Sequence, residues 1–310
     1  MSTFDRRHFV GAAGFALAGT ALGQDKGAAK ALQGLGYVGE SATKPEPKTL
    51  GRTQHLKYAV NIEMWGFDTD DPALRIRRAA DLGYTGIEMW AWRGKDLDAI
   101  ARACRDTGVQ VLQFTGPGWT PKLNDATQHD AVLKELEASC EAAKKLNTKM
   151  ILVLAGQEVK GLDHAQMHAN VIECLKKCVP ICEKNDITLI LEPLNTRVDH
   201  KGYCLNNSAD AIHMCKTVGS PRVKICWDLY HMAIMEGDLC RHIQEGFEHI
   251  AYFQIADNPG RNDPGTGEVN YARVMRAAWE LGYRGWVGLE FTPQGSELEA
   301  AQRVALIDRW

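Results

Sequence analysis

The chain has 310 residues, 45% hydrophobic and 24% charged, with a formal net charge of −3. That composition is of a soluble globular protein, long for an ordinary domain but suited to one α/β barrel with an N-terminal extension. A slightly acidic balance argues against a general nucleic-acid binder, which is usually clearly basic.

The chain opens with Arg6-Arg7-His8-Phe9 ahead of an apolar, Ala- and Gly-rich run at residues 10–22, and Ala21-Leu22-Gly23 offers a small-residue cleavage site before Gln24. Positive, apolar, then small is the order of a secretory signal, and the paired arginines resemble the twin-arginine type, with Asp5 where that pattern usually has Ser or Thr. Residues 1–23 are therefore expected to direct export to the periplasm. Their apolar run is too short for a stable membrane span. Residues 24–56 mix Gly, Ala, Lys, Pro and Thr without periodicity and read as a linker or irregular lead-in.

Regular alternation then fills residues 57–310. Strands are predicted at 58–65, 86–92, 110–115, 149–155, 187–192, 223–228, 250–256 and 286–291. Helical patterns lie between them at 72–82, 95–107, 130–146, 164–185, 208–217, 238–248 and 271–281, and a last one at 297–310 closes the chain. Eight strands alternating with eight helices point to a (β/α)8 TIM barrel. The competing open doubly wound sheet lacks support, since no Gly-rich dinucleotide fingerprint follows the first strand. The chain also echoes itself. Ala80-Asp-Leu-Gly-Tyr-Thr-Gly-Ile-Glu88 resembles Trp279-Glu-Leu-Gly-Tyr-Arg-Gly-Trp-Val-Gly-Leu-Glu290, as a fold of equivalent βα units would give.

Nine cysteines, an odd number without CxxC spacing, argue against a disulfide framework or zinc ribbon. Cys174, Cys178 and Cys182 lie four apart on one helical face, where packing on the sheet is the simpler reading than a metal site. A thiol-rich exported protein fits the twin-arginine route, which carries proteins already folded in the cytoplasm.

The chemistry gathers at strand ends. The run at 187–192 is apolar until Glu192, and Pro193 then stops regular pairing. The same grammar recurs at Asp228, Gln254 and Glu290, spaced 36, 26 and 36 residues along the chain, each about one βα unit. Four neighbouring strand ends converge on one side of a barrel mouth. Three carboxylates there would repel strongly unless a cation sits between them. Oxygen ligation by Glu192, Asp228, Gln254 and Glu290 favours a hard divalent ion, Mg²⁺ or Mn²⁺. His231, three residues beyond Asp228, and Arg261, in a loop of Pro, Gly and Asn, are candidates for holding substrate oxygens; Arg197 is a weaker one. Trp65, Trp90, Trp92 and Trp119 lie near strand ends, where some could stack on a sugar ring and at least two are expected to pack beneath the helices.

Leu191-Glu-Pro-Leu-Asn-Thr-Arg-Val-Asp199, Trp227-Asp-Leu-Tyr-His231, Gln254-Ile-Ala-Asp-Asn-Pro-Gly-Arg261 and Gly288-Leu-Glu-Phe291 together resemble the hydroxypyruvate isomerase family, within the xylose-isomerase-like sugar isomerase and epimerase barrels. The resemblance runs from about Tyr58 to the C-terminus. It implies that Glu192 and Glu290 carry the proton and that Glu192, Asp228, Gln254 and Glu290 hold the metal. Ketose 3-epimerases of the same superfamily usually have His at the position of Gln254 and a further Glu at that of Val198, so the chain departs from that pattern. Its first two strands are also richer in Trp than expected of a hydroxypyruvate isomerase.

The expected activity is isomerisation of a small hydroxy-carbonyl compound or sugar through an enediolate, the metal stabilising the developing charge and two carboxylates moving the proton. An epimerase, or a lyase acting on an oxidised sugar, shares the first proton abstraction. A non-catalytic exported sugar-binding protein is the remaining alternative, disfavoured because binding needs no acid–base pair. The partner is a small molecule, not nucleic acid, and a homo-oligomer is compatible with the sequence.

Overall fold

Eight short strands pair in parallel and in sequence order in the computed structural model, which describes residues 47–310. They are β1 (Lys57–Asn61), β2 (Gly86–Ala91), β3 (Gln110–Thr115), β4 (Met150–Leu154), β5 (Thr188–Glu192), β6 (Val223–Asp228), β7 (Ile250–Ile255) and β8 (Trp286–Leu289). β8 pairs back onto β1, so no strand edge is left open and the expected (β/α)8 barrel is what forms. The signal segment and residues 24–46 of the lead-in lie outside the described residues.

The crossovers are α1 (Pro72–Asp81), α2 (Leu97–Thr107), α3 (His129–Leu146), α4 (His164–Asn185), α5 (Ser208–Val218), α6 (Leu229–Met235), α7 (Leu239–Gly246) and α8 (Tyr271–Glu280), with α9 (Glu297–Ile307) after β8. Local chemistry starts most of them. Asp71, Asp96, Asp163, Asn207 and Asn270 each accept a hydrogen bond from the first turn, and Ser296 with Glu299 forms a capping box ahead of α9. Gly108 ends α2 in the left-handed region at φ +77°, which costs a glycine nothing.

The two largest departures from the sequence expectation have identifiable reasons. The first strand stops at Asn61 and does not reach Trp65. The Asn61 side-chain oxygen accepts from the backbone of Glu63 (3.0 Å) and Met64 (3.1 Å), and this turns the chain out of the sheet. The second difference is α6, a helix the sequence reading did not include. Asp228 caps it by accepting from the Tyr230 backbone at 2.9 Å, so the residues after β6 coil at once instead of forming a loop.

The described part of the lead-in is irregular but firmly attached. Leu50 and Leu56 are buried, and Gly51 lies so close to the Gly83–Tyr84 backbone that a Cβ would stand 2.4 Å from the Tyr84 nitrogen. The Asp308 carboxylate accepts from the backbone of His55 (2.6 Å) and Leu56 (3.2 Å). These contacts close the end of the barrel where the strands begin. All nine cysteines are free thiols, and Cys174, Cys178 and Cys182 are buried on α4, as the packing reading expects. No helix among the described residues is long and apolar enough to cross a membrane.

Candidate active site

The opposite end, where the strands finish, carries the polar groups. Glu192 is the last residue of β5, Asp228 the last of β6, Gln254 lies one residue inside the end of β7, and Glu290 follows β8 directly. Glu192, Gln254 and Glu290 line a cavity of about 300 Å³ together with Trp90, Trp119, His200, His231 and Arg261. Asp228 lies immediately behind it and is fully buried. The four strand-end residues named from the sequence are thus gathered on one side of the mouth.

The cluster holds more acids than its own cations could neutralise if all were ionised. Four acids are buried here: Glu88, Glu192, Asp228 and Glu290. Burial pushes Glu192 well above the usual carboxylate range, and Glu290 and Asp228 nearby push it further. Asp228 is raised to about 8, chiefly by burial, with the Arg261 guanidinium pulling back. Glu88 is raised to about 7 by burial and by Glu290, against hydrogen bonds from three side-chain amides. One cation answers them. Arg261 places one guanidinium nitrogen 2.9 Å from Glu290 Oε2 and 3.4 Å from Asp228 Oδ2. It reaches there from a loop folded around Asp257, whose carboxylate accepts from the backbone of Asn258, Gly265 and Val269. Arg261 itself is in the left-handed region at φ +54°.

His231 is a hydrogen-bond donor aimed at this cluster, and its partner residue decides that. Asn195 Oδ1 accepts from the backbone of Val198 and Asp199, both at 3.0 Å, so its NH₂ group must point the other way. That NH₂ donates to Asp199 Oδ2 and to His231 Nδ1, each at 2.7 Å. Burial pushes His231 well below its usual value, so the ring is neutral and, with Nδ1 accepting, the proton sits on Nε2. Nε2 is buried without a hydrogen-bond partner, 3.4 Å from Asp228 Oδ2 and 3.9 Å from Glu192 Oε1.

These facts bear on a metal. One atom each from Glu192, Asp228 and His231 lies within 4.8 Å of the others, close enough to share an ion. The tautomer makes His231 a donor to an oxygen and leaves the ligation to the carboxylates. An excess of buried acids over a single guanidinium, with oxygens on several strands facing one space, fits a hard divalent cation. Glu192, Asp228, Glu290 and the amide oxygen of Gln254 are the groups that would hold it.

The remaining residues divide cleanly. Trp90 and Trp119, 43% and 40% exposed, stand on the rim, and Trp90 Nε1 donates to Glu290 Oε1 at 2.6 Å. Trp119 packs on His200, and His200 on His231, at ring separations of 5.6 and 5.3 Å. Trp65 is buried among Phe67, Tyr84 and Phe291, while Trp92 donates to Ser139 beside α3. Arg197 is a correction: it is exposed, donates to the Ile234 carbonyl at 2.8 Å and does not line the cavity. Its loop does reach the mouth, through Leu194 and His200, but the Arg197 side chain turns away to Ile234.

Sequence reasoning missed Glu88, Asn61, Gln113, Asn195 and His200. For Glu88 a signal existed. An acid within the apolar run of β2 is as unusual as one at its end, although the internal echo places it opposite Val287 and so does not single it out.

Comparison with known proteins places this site in a family. A family model described as a xylose isomerase-like TIM barrel matches residues 76–309. The hydroxypyruvate isomerase of Escherichia coli K12 is 30% identical over 245 residues, spanning 77% of this chain and 94% of that protein. The 2-oxo-tetronate isomerase of Pectobacterium atrosepticum is 28% identical over 247 residues, 77% and 93% of the two chains. Among solved structures, an AP endonuclease, family 2, from Brucella melitensis superposes with a TM-score of 0.75 at 28% identity, over 80% of this chain and 96% of that one. The chain belongs to the hydroxypyruvate isomerase family, within the xylose isomerase-like TIM barrels, and is an isomerase by class.

Proposed function

We propose that this protein interconverts a hydroxy-aldehyde and a hydroxy-ketone by moving a proton between adjacent carbons, with Glu192 and Glu290 as the two proton carriers. The observation that carries the reading is the unfinished hydrogen bonding of the mouth: the buried His231 N–H has no acceptor among the described residues, and its Nε2 stands 3.9 Å from Glu192 Oε1, too far for a hydrogen bond. A buried polar group left open where it faces a cavity calls for a partner from outside the chain, be it water, an ion or a ligand. When bound, a divalent ion, Mg²⁺ or Mn²⁺ by the oxygen donors, supplies charge stabilisation to the two substrate oxygens.

The protein's own groups do the rest. His231 Nε2 donates to a substrate oxygen, and the Arg261 guanidinium lies beside Asp228 and Glu290, where it can hold another. One glutamate takes the proton from the carbon bearing the hydroxyl, the C–H electron pair forms the enediolate double bond and the carbonyl π pair moves onto its oxygen. The hydroxyl proton passes to that oxygen, a carbonyl re-forms at the oxygen it leaves, and the other glutamate protonates the neighbouring carbon. The reverse reaction interchanges the two roles. The indoles of Trp90 and Trp119 cover the rim and limit access of water.

Substrates of the kind named for the relatives, hydroxypyruvate and 2-oxo-tetronate, satisfy this chemistry. A second reading, epimerisation or elimination on an oxidised sugar, is favoured by one feature: the two exposed indoles offer flat apolar faces that a three-carbon acid would not need. The test is an assay of the Mn²⁺- or Mg²⁺-loaded protein in deuterated water against hydroxypyruvate, tetronates, keto-sugars and aldoses. Isomerised product carrying solvent deuterium is expected, with Trp119→Ala raising KM about 3- to 10-fold if a sugar ring stacks there. Absence of exchange from every member of the panel would defeat the reading. Export through the twin-arginine signal is proposed alongside, and Arg6→Lys/Arg7→Lys is expected to hold the protein in the cytoplasm.

A further inference from the structure

Glu88 takes no part in the proton transfer just described, yet three side-chain amides converge on its carboxylate. Asn61 Nδ2 donates to Oε1 at 3.1 Å, Gln113 Nε2 donates to Oε2 at 3.0 Å, and Gln254 Nε2 reaches both oxygens, at 3.1 and 3.3 Å. The acid and the Gln254 amide meet because Gly288 of β8 leaves room for them. A Cβ at that position would stand 2.3 Å from Glu88 Oε2 and 2.9 Å from Gln254 Cγ. A carboxylate only accepts, so Gln254 must turn its NH₂ towards Glu88 and its oxygen away. The Cys226 thiol fits the same orientation from the other side, donating to Gln254 Oε1 at 3.0 Å and leaving that oxygen a second lone pair.

The two edges of an amide are not equivalent to a cation. The oxygen ligates, whereas the NH₂ edge repels, and nothing in the Gln254 side chain itself chooses between them. We propose that Glu88 is a positioning residue that fixes the Gln254 amide so that β7 offers oxygen, not NH₂, to a divalent cation held with Glu192, Asp228 and Glu290. The inference rests on the metal-dependent reading of the site and adds a residue to it that touches neither ion nor substrate.

The test begins with the metal-free protein, selectively ¹⁵N-labelled at glutamine. The Gln254 side-chain NH₂ is expected to exchange with solvent slowly and to exchange at least about tenfold faster in Glu88→Gln, which can no longer accept on both oxygens. Mn²⁺ binding, followed by equilibrium dialysis, is expected to weaken about 10- to 100-fold in Glu88→Gln. Gln254→Ala should weaken it comparably, and the double variant should lose no more than the larger single loss, because the two residues act through one another. Losses that multiply, or a Kd for Glu88→Gln within about twofold of the parent, overturn the proposal. If Glu88→Gln does not fold, Glu88→Asp draws the carboxylate back by one methylene and is read in the same way. A protected amide in a protein that binds no Mn²⁺ would overturn the metal reading and the purpose assigned to Glu88. An unprotected amide would overturn the positioning itself.

Discussion

The two ends of the barrel bury acids to the same degree and treat them in opposite ways. At the end where the strands begin, Asp308 is 1% exposed and its carboxylate is taken up by the backbone of His55 and Leu56. At the end where they finish, Glu192 is 5% exposed and faces a cavity, with the His231 N–H 3.9 Å away and too far to donate to it. A buried carboxylate is tolerated only when something satisfies it. Asp308 is satisfied by the chain, so it serves the fold. Glu192 lacks such a partner among the described residues, and this is why a functional role is proposed for it. Burial and acidity alone would not separate these residues; the count of donors does.

That contrast sets the expected effects, the largest first. Glu192→Gln is expected to lower turnover by about 10²- to 10⁴-fold. The metal-free protein should melt no lower than the parent, since no hydrogen bond is lost. A marked fall in its Tm would mean that Glu192 is structural after all. Asp308→Ala should do the reverse. Stripping the partner from two backbone N–H groups costs about 2 kcal/mol of stability, read by urea unfolding, while turnover per folded molecule is retained.

The pH dependence sharpens the same distinction. Asp228 and Glu88 are raised to about 8 and about 7 in the folded, metal-free chain, against about 4 in an unfolded one. Between those values the folded state binds more protons than the unfolded state, so stability falls as pH rises from about 4 to about 8. Below that window both states are protonated and the effect disappears. A Tm that declines across the window, declines less in Asp228→Asn and is restored by Mn²⁺ is expected. A metal-free Tm that rises with pH, unchanged by Asp228→Asn, would contradict the assignment. Arg197→Ala should have the smallest effect, within about 0.5 kcal/mol in stability and with unaltered kinetics, because its one hydrogen bond lies outside the cavity.

The parts legible in the sequence are those written locally. Apolar runs alternating with helical patterns gave the eight strands, and the acids that end the later runs placed Glu192, Asp228 and Glu290 at the mouth. Helix α6 was hidden because Leu229 to Met232 are buried in succession, without the polar face that marks an amphipathic helix. Glu88 and Asn195 were hidden for another reason. Their roles come from partners distant in the chain: Gln254 lies 166 residues from Glu88, and His231 lies 36 from Asn195. Arg261 and Arg197 show the limit of reasoning by residue type. Both are arginines in polar loops, and only the fold around Asp257 carries one of them into the site.

The most direct measurement is a titration with Mn²⁺ followed by electron paramagnetic resonance, comparing the parent with Glu192→Gln, Asp228→Asn and Asp308→Asn. One tight ion per chain in the parent and in Asp308→Asn, lost or much weakened in the two mouth variants, is the result expected. Equal binding in all four proteins, or none in the parent, would contradict the claim that the clustered acids of the barrel mouth are built to hold a cation.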